Sequence, residues 1–261
     1  MDEAGLSVAE AFVDARRNAR TIACYPGEAP TDLASAYRIQ GHAIRIAGRS
    51  VAGWKVGRIF PPDDVRLGTN RLSGPIFADS VVAAVPEPAM PVFAGGFAAA
   101  EAELLLHIAA GFAGPVPHDD AGTRAIIDDI RLGIEIASSP YARINSDGPA
   151  VTASDFGNNH GLVMGPALTG WAALDLCAIE VTTTIDGGEV GRATAAAMLD
   201  GPYGAVRFLL AHLGERGIDV AGGLWVSTGA ITGVHPVRPG QHVAARFGDH
   251  GGLSCRISAA T

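Results

Sequence analysis

Apolar residues at Leu6, Ala9, Phe12, Val13 and Ala19 recur at roughly helical spacing, with Arg16, Arg17 and Arg20 between or after them. A second helix follows: Thr31 or Asp32 can cap it, Leu33, Ala36, Tyr37, Gln40 and Ile44 share one face, and Gly48 ends it. Beyond Gly53 the pattern changes to short β-rich runs separated by Gly and Pro, at Val81 to Val85, Ala98 to Ile108, Ile179 to Ile185, Leu224 to Thr228 and His242 to Phe247. Asp186-Gly187-Gly188 predicts a tight hairpin, and Pro239-Gly240 and Asp249 to Gly252 mark later turns. Two helices are predicted to interrupt the strands, one from Thr123 to Leu132 with Asp119, Asp120 or Thr123 as cap, the other from Pro202 to about Arg216. The expectation is an α+β protein working as one unit: an N-terminal helical layer over 1–50 and a β-rich, mixed-sheet core over 51–261.

Composition narrows what such a fold does. Charged residues make up 18% of the chain and hydrophobic ones 48%, which leaves little solvated surface and makes a homo-oligomer the expected state. A net charge of −8, without a basic stripe, excludes a nucleic-acid partner. No apolar run reaches the roughly 18–20 residues of a membrane span, and Met1-Asp2-Glu3 opens no leader-like segment, so a cytoplasmic protein with no membrane partner is expected. Cys24, Cys177 and Cys255 are widely spaced and form no CxxC, which argues against a disulfide framework or a thiolate metal site.

Of nineteen basic side chains, eighteen are arginine and one is Lys55, within Gly53-Trp54-Lys55-Val56-Gly57. A compact ammonium does what a planar guanidinium does not, which makes Lys55 a site candidate; an unreplaced surface lysine is the alternative. In Ala100-Glu101-Ala102-Glu103-Leu104, two acids sit two apart in an apolar run, so a strand puts both on one face. Either that face is wet or a cation lies between the carboxylates, and Glu135, framed by Ile134 and Ile136, offers a third oxygen donor. Oxygen donors of this kind suit Mg²⁺ or Mn²⁺.

Several motifs occur here in the order found in the 2-keto-4-pentenoate hydratase and 4-oxalocrotonate decarboxylase family. They are Ala36-Tyr37-Arg38-Ile39-Gln40, Gly53-Trp54-Lys55-Val56-Gly57, Gly74 to Asp79, Glu101-Ala102-Glu103, Gly133-Ile134-Glu135-Ile136, Asp155 followed by Gly161 to Gly165, and Thr228-Gly229-Ala230. The chain resembles that family, within the fumarylacetoacetate hydrolase superfamily, over nearly its whole length. The resemblance implies a mixed β-roll core, bound Mg²⁺ or Mn²⁺, and 2-oxo or 2-hydroxy-dienoate acids from aromatic catabolism as substrates. By position it puts the metal carboxylates on Glu101, Glu103 and Glu135, the active-site lysine on Lys55, and the family's Phe-Ala-Asp segment on Phe77-Ala78-Asp79. The chain departs from the family at Gly57-Arg58-Ile59-Phe60, where Gly-Leu-Thr-Ser is usual, at Phe156-Gly157-Asn158-Asn159-His160, and after Glu135.

The expected reaction is that of a hydratase, adding water to a 2-hydroxy-2,4-dienoate to give a 4-hydroxy-2-oxo acid. Lys55 is expected to hold the substrate's oxygens, Asp79, Asn158 and His160 to position water or pass protons, and Thr228 to lie near the substrate. His160 suits that part if it titrates near neutrality. Arg58 is expected to meet a second carboxylate. The other readings are a decarboxylase of a 2-oxo-enedioate, an acylpyruvate C–C hydrolase, and a non-catalytic binding or assembly subunit. A pathway decarboxylase or aldolase is a further expected partner.

Overall fold

The computed structural model describes residues 2–261. Its helices are α1 (Glu3–Arg17), α2 (Leu33–Ala47), α3 (Asp63–Leu67), α4 (Asp120–Arg124), α5 (Pro149–Ser154) and α6 (Gly201–Glu215). Its strands are β1 (Val51–Arg58), β2 (Arg71–Phe77), β3 (Val81–Ala83), β4 (Ala89–Val92), β5 (Phe97–Ile108), β6 (Ile127–Ser139), β7 (Asn159–Ala167), β8 (Glu180–Ile185), β9 (Gly188–Thr194), β10 (Leu224–Ser227), β11 (His235–Pro236), β12 (His242–Phe247) and β13 (Gly252–Ala259). None of the described helices is long and apolar enough to cross a membrane.

Two mixed sheets make up the core. The larger runs β2-β1-β10-β5-β6-β7-β3, with β11 paired to β5, and the smaller runs β4-β13-β12-β8-β9. Parallel pairs β1–β10, β3–β7 and β4–β13 stand among otherwise antiparallel neighbours. Period two sorts the long central strands: Leu104, Leu106 and Ile108 of β5 and Ile130, Leu132, Ile134 and Ile136 of β6 pack with Val243, Phe247 and Cys255 of the smaller sheet and Leu209 and Leu213 of α6. That alternation leaves the odd positions of β5, beginning with Glu101 and Glu103, for the opposite face.

The second helix begins where its cap predicts. Asp32 accepts from Ser35 N at 2.7 Å and Gly48, at φ 65°, closes α2, an N-cap worth about 1 kcal/mol. Val8, Phe12 and Val13 of α1 and Ile39 and Ala43 of α2 pack with Phe77, Tyr141, Ile144 and Phe156, so both helices share a core with segments flanking the larger sheet. The hairpin at Asp186-Gly187 joins β8 to β9 with both residues at positive φ, 51° and 81°, as a two-residue type I′ turn needs.

One predicted element is corrected. The helix expected from Thr123 to Leu132 is only α4, capped by Asp119 on Gly122 N, and Ile127 onward is the strand β6. Gly122 weakens the helix, while Ile130, Leu132, Ile134 and Ile136, all buried, recur at period two and favour a strand that β5 and β7 then pair on both sides.

Candidate metal and substrate site

Register brings the acids together. Glu101 lies directly opposite Glu135 across the β5–β6 ladder and Glu103 lies two residues further on the same face. One oxygen from each of the three carboxylates lies within 4.8 Å of the others, and all three residues are buried. From the other side, Lys55 is paired with Ser227 in the β1–β10 register and Ser227 with Leu105 of β5, which aims the lysine at the same face. Lys55 Nζ stands 3.4 Å from Glu135 Oε1 and donates to Asn158 Oδ1 at 3.2 Å.

The supports of these groups come from strand ends and one tight turn. Asn159 Nδ2 donates to Glu135 Oε1 at 2.9 Å, while Ser227 Oγ and Gly229 N both donate to Glu103 Oε2, the latter at 3.0 Å. Asn158 and Asn159 leave a turn in which Phe156, Gly157 and Asn158 all have positive φ, at 56°, 60° and 60°. Gly74 of β2 makes room for that turn: a Cβ there would lie 1.9 Å from Phe156 O.

Electrostatics fit a divalent cation at this centre. Fully ionised, the three buried carboxylates exceed the one ammonium by two negative charges, which one divalent ion would balance. Glu103 Oε1 and Glu135 Oε2 are buried and accept no hydrogen bond from the protein. Burial, assisted by Glu135, raises the Glu101 carboxyl to about 7 against the pull of Lys55, and burial with Glu135 and Glu101 lifts Glu103 well above the usual carboxylate range. Burial alone would lower the Lys55 ammonium, but Glu135, Glu101 and Glu103 outweigh it and keep it charged. The donor set and the orphaned oxygens fit Mg²⁺ or Mn²⁺ held by Glu101, Glu103 and Glu135.

A cleft of about 600 Å³ opens over this centre, lined by Lys55, Glu101, Asn158, Thr228 and, toward its rim, Arg58 and Arg71. Arg58 and Arg71 are cross-strand partners; Arg71 is buried and ion-paired to Asp200, whereas Arg58 is exposed, lies over the Phe60 ring and donates to Ala197 O, with no carboxylate partner among the described residues. Thr228 gives its hydroxyl to Leu104 O, which leaves it at the cleft wall as a holder of the strand end. A larger groove of about 940 Å³ between α2 and α6 gathers no comparable set of acids.

Two expected proton carriers lie elsewhere. Asp79 is exposed on a short helical turn and forks onto Arg49 at 2.6 and 2.9 Å, so it is tied to a surface guanidinium rather than to the cleft. His160 keeps an edge to solvent, but its Nδ1 lies 3.1 Å from Arg16 Nη1 and its ring packs on Phe93. Burial, with Arg16 and Arg49 nearby, pushes its pKa down to about 3, so the imidazole is neutral near pH 7 and does not titrate there as the sequence suggested. Sequence reasoning missed Arg71 as a neighbour of the site, because its pairing with Arg58 across β1 and β2 is invisible without the register.

No protein-family model matches the chain. Among curated proteins, a 4-oxalocrotonate decarboxylase of Pseudomonas putida is 27% identical over 157 residues, 60% of this chain and 59% of that protein. Another, from Pseudomonas sp. (strain CF600), is 31% identical over 47% of this chain and 46% of its own length. The chain thus matches in sequence about half of the length of these curated relatives. A solved 4-oxalocrotonate decarboxylase from Pseudomonas putida G7, complexed with magnesium and adipate, superposes over 98% of both chains with a TM-score of 0.82 at 24% identity.

Proposed function

We propose, from this chain's place in the 2-keto-4-pentenoate hydratase and 4-oxalocrotonate decarboxylase family of the fumarylacetoacetate hydrolase superfamily, that it is a divalent-metal-dependent enzyme releasing CO₂ from a 2-oxo-enedioate. Glu101, Glu103 and Glu135 would hold a Mg²⁺ or Mn²⁺, which when bound would supply Lewis-acid stabilisation of negative charge on the oxygens of such an acid. Lys55, held charged by its acidic neighbours, offers its ammonium to the same oxygens, and Asn158 and Asn159 fix the directions of Lys55 and Glu135. Arg58, without a carboxylate partner at the rim, selects for the second carboxylate of the substrate. As the bond between that carboxylate and its CH₂ breaks, the electron pair passes through the conjugated double bond to the 2-oxygen, CO₂ leaves, and one proton added at that oxygen completes a 2-hydroxydienoate.

The content of the cleft carries the choice of decarboxylation over hydration. Its lining acids and bases are Lys55, Arg58, Asp63, Arg71 and Glu101, and of these Asp63 is tied to Arg66 and Glu101 belongs to the metal set. Adding water across a double bond needs one group to activate water and another to protonate carbon. Asp79 and His160, the candidates for that work, do not line the cleft. Loss of CO₂ needs neither. The curated relatives, both decarboxylases, and the solved relative complexed with a dicarboxylate support the same reading.

The test supplies the Mg²⁺-loaded protein with 2-oxohex-3-enedioate and separately with 2-hydroxypenta-2,4-dienoate. One CO₂ per substrate consumed in the first case, and no water addition in the second, is expected. Hydration of the dienoate without CO₂ release from the enedioate would return the protein to the hydratases.

A further inference from the structure

We propose that Arg16 of α1 is a positioning residue for the metal and substrate centre: its guanidinium clamps the left-handed turn that carries Asn158 and Asn159, and through them sets Lys55 and Glu135. The part of this that concerns metal rests on the reading above; the part that concerns the turn does not.

Every N–H of the guanidinium has an acceptor. Nε and Nη2 fork onto Asp155 Oδ1 and Oδ2 at 2.6 and 2.8 Å, Nη2 reaches Ser138 O at 3.1 Å, and Nη1 reaches Asn159 O at 3.2 Å and His160 Nδ1 at 3.1 Å. The plane of the group lies over Phe156, 5.2 Å from the ring centroid. Asp155, fully buried, takes a further bond from Ser139 Oγ, and its carbonyl accepts from Asn158 N at 2.8 Å. The clamp therefore grips the residue before the turn, the aromatic within it and the carbonyl just after it.

What the turn holds explains why it needs gripping. Three successive residues at positive φ, two of them not glycine, form a backbone that springs toward other conformations unless its surroundings over-determine it. From its end, Asn158 accepts from Lys55 Nζ and Asn159 donates to Glu135 Oε1. Arg16 bonds to the side chain of neither asparagine; the coupling runs through the backbone at Asp155 and Asn159. A helix remote in sequence thus sets the directions of one ammonium and one carboxylate, and partners of this kind govern affinity at metal sites.

The experiment compares the wild type with Arg16→Met and Arg16→Lys by Mn²⁺ titration calorimetry, by amide hydrogen exchange at Asn158 and Asn159 with Ala244 and Ala245 of β12 as internal standard, and by turnover at rising Mn²⁺. Arg16→Met is expected to lose at least about tenfold in Mn²⁺ affinity, to speed exchange at Asn158 and Asn159 but not in β12, and to regain most of its kcat at high Mn²⁺. Arg16→Lys, which keeps a charge on Asp155 without the fork, is expected to fall between. Unchanged exchange at Asn158 and Asn159, or Mn²⁺ affinity within about twofold of the wild type in folded Arg16→Met, would overturn the proposal. So would uniform loss of structure in both variants, since that makes Arg16 a general stabiliser. A wild type that binds no Mn²⁺ removes the metal reading instead, while the exchange comparison still decides the clamp.

Discussion

Glu101 and Glu135 face each other across neighbouring strands as direct ladder partners, both out of solvent. Like charges so placed repel, and a sheet keeps such a pair only where something positive sits between them. Lys55 meets part of that need from one side, and the two oxygens left without donors, Glu103 Oε1 and Glu135 Oε2, mark where the remainder belongs.

Removing one arm of the set tests this directly. Glu135→Gln is expected to weaken Mg²⁺ or Mn²⁺ binding by about 100-fold or more while leaving the fold intact, because an amide keeps the size and one acceptor of the carboxylate. Calorimetric titration with Mn²⁺ and circular dichroism of the same samples check both halves.

Metal binding is expected to release protons near neutrality. Glu101 is raised to about 7 and Glu103 well above the usual carboxylate range, so the metal-free carboxyls carry protons that an incoming cation must displace, and affinity falls as pH drops below 7. The stability sign is the matching one: a raised carboxyl favours the folded metal-free protein below the unfolded value and loses that contribution as pH rises through about 7. Titrations in buffers of different ionisation enthalpy, together with melting curves with and without Mg²⁺ from pH 5 to 8, measure both effects.

His160 acts in the opposite sense. Its pKa is depressed from 6.5 to about 3, so the unfolded chain binds the proton more readily and stability, full above 6.5, declines as pH falls toward 3. Between pH 6.5 and 5 the loss amounts to about 2 kcal/mol. His160→Gln should flatten that slope in urea denaturation and leave the pH dependence of kcat unchanged.

Arg58→Leu separates substrates by charge. KM for a 2-oxo-enedioate is expected to rise about tenfold, the worth of one lost charged hydrogen bond, while a 2-oxo monoacid of the same length is handled within about twofold. Equal losses on both would detach Arg58 from substrate recognition.

Much of this arrangement is legible in the sequence. The E-x-E step puts two acids on one face of a strand by period two, the apolar frame around Glu135 marked it as a third oxygen donor, and the single lysine stood out against eighteen arginines. What spacing does not carry is who stands beside whom across the fold. Asp79 and His160 looked free in the sequence, yet Arg49 and Arg16, from segments far along the chain, claim them. The stretch after Thr123 misled for a related reason: its isoleucines fit a short helix locally, and only flanking strands to pair with make them a strand.

The ladder between β5 and β6 also ties chemistry to folding. A slip of one residue would swing Glu101 and Glu103 into the layer between the two sheets and turn Leu104 outward. Two carboxylates would then be stranded in oil, so misaligned pairings are heavily penalised and the acids serve as a gauge of correct alignment. An insertion or deletion within either strand should accordingly abolish the folded protein and its activity together, whereas the loops at the cleft mouth remain free to vary in length.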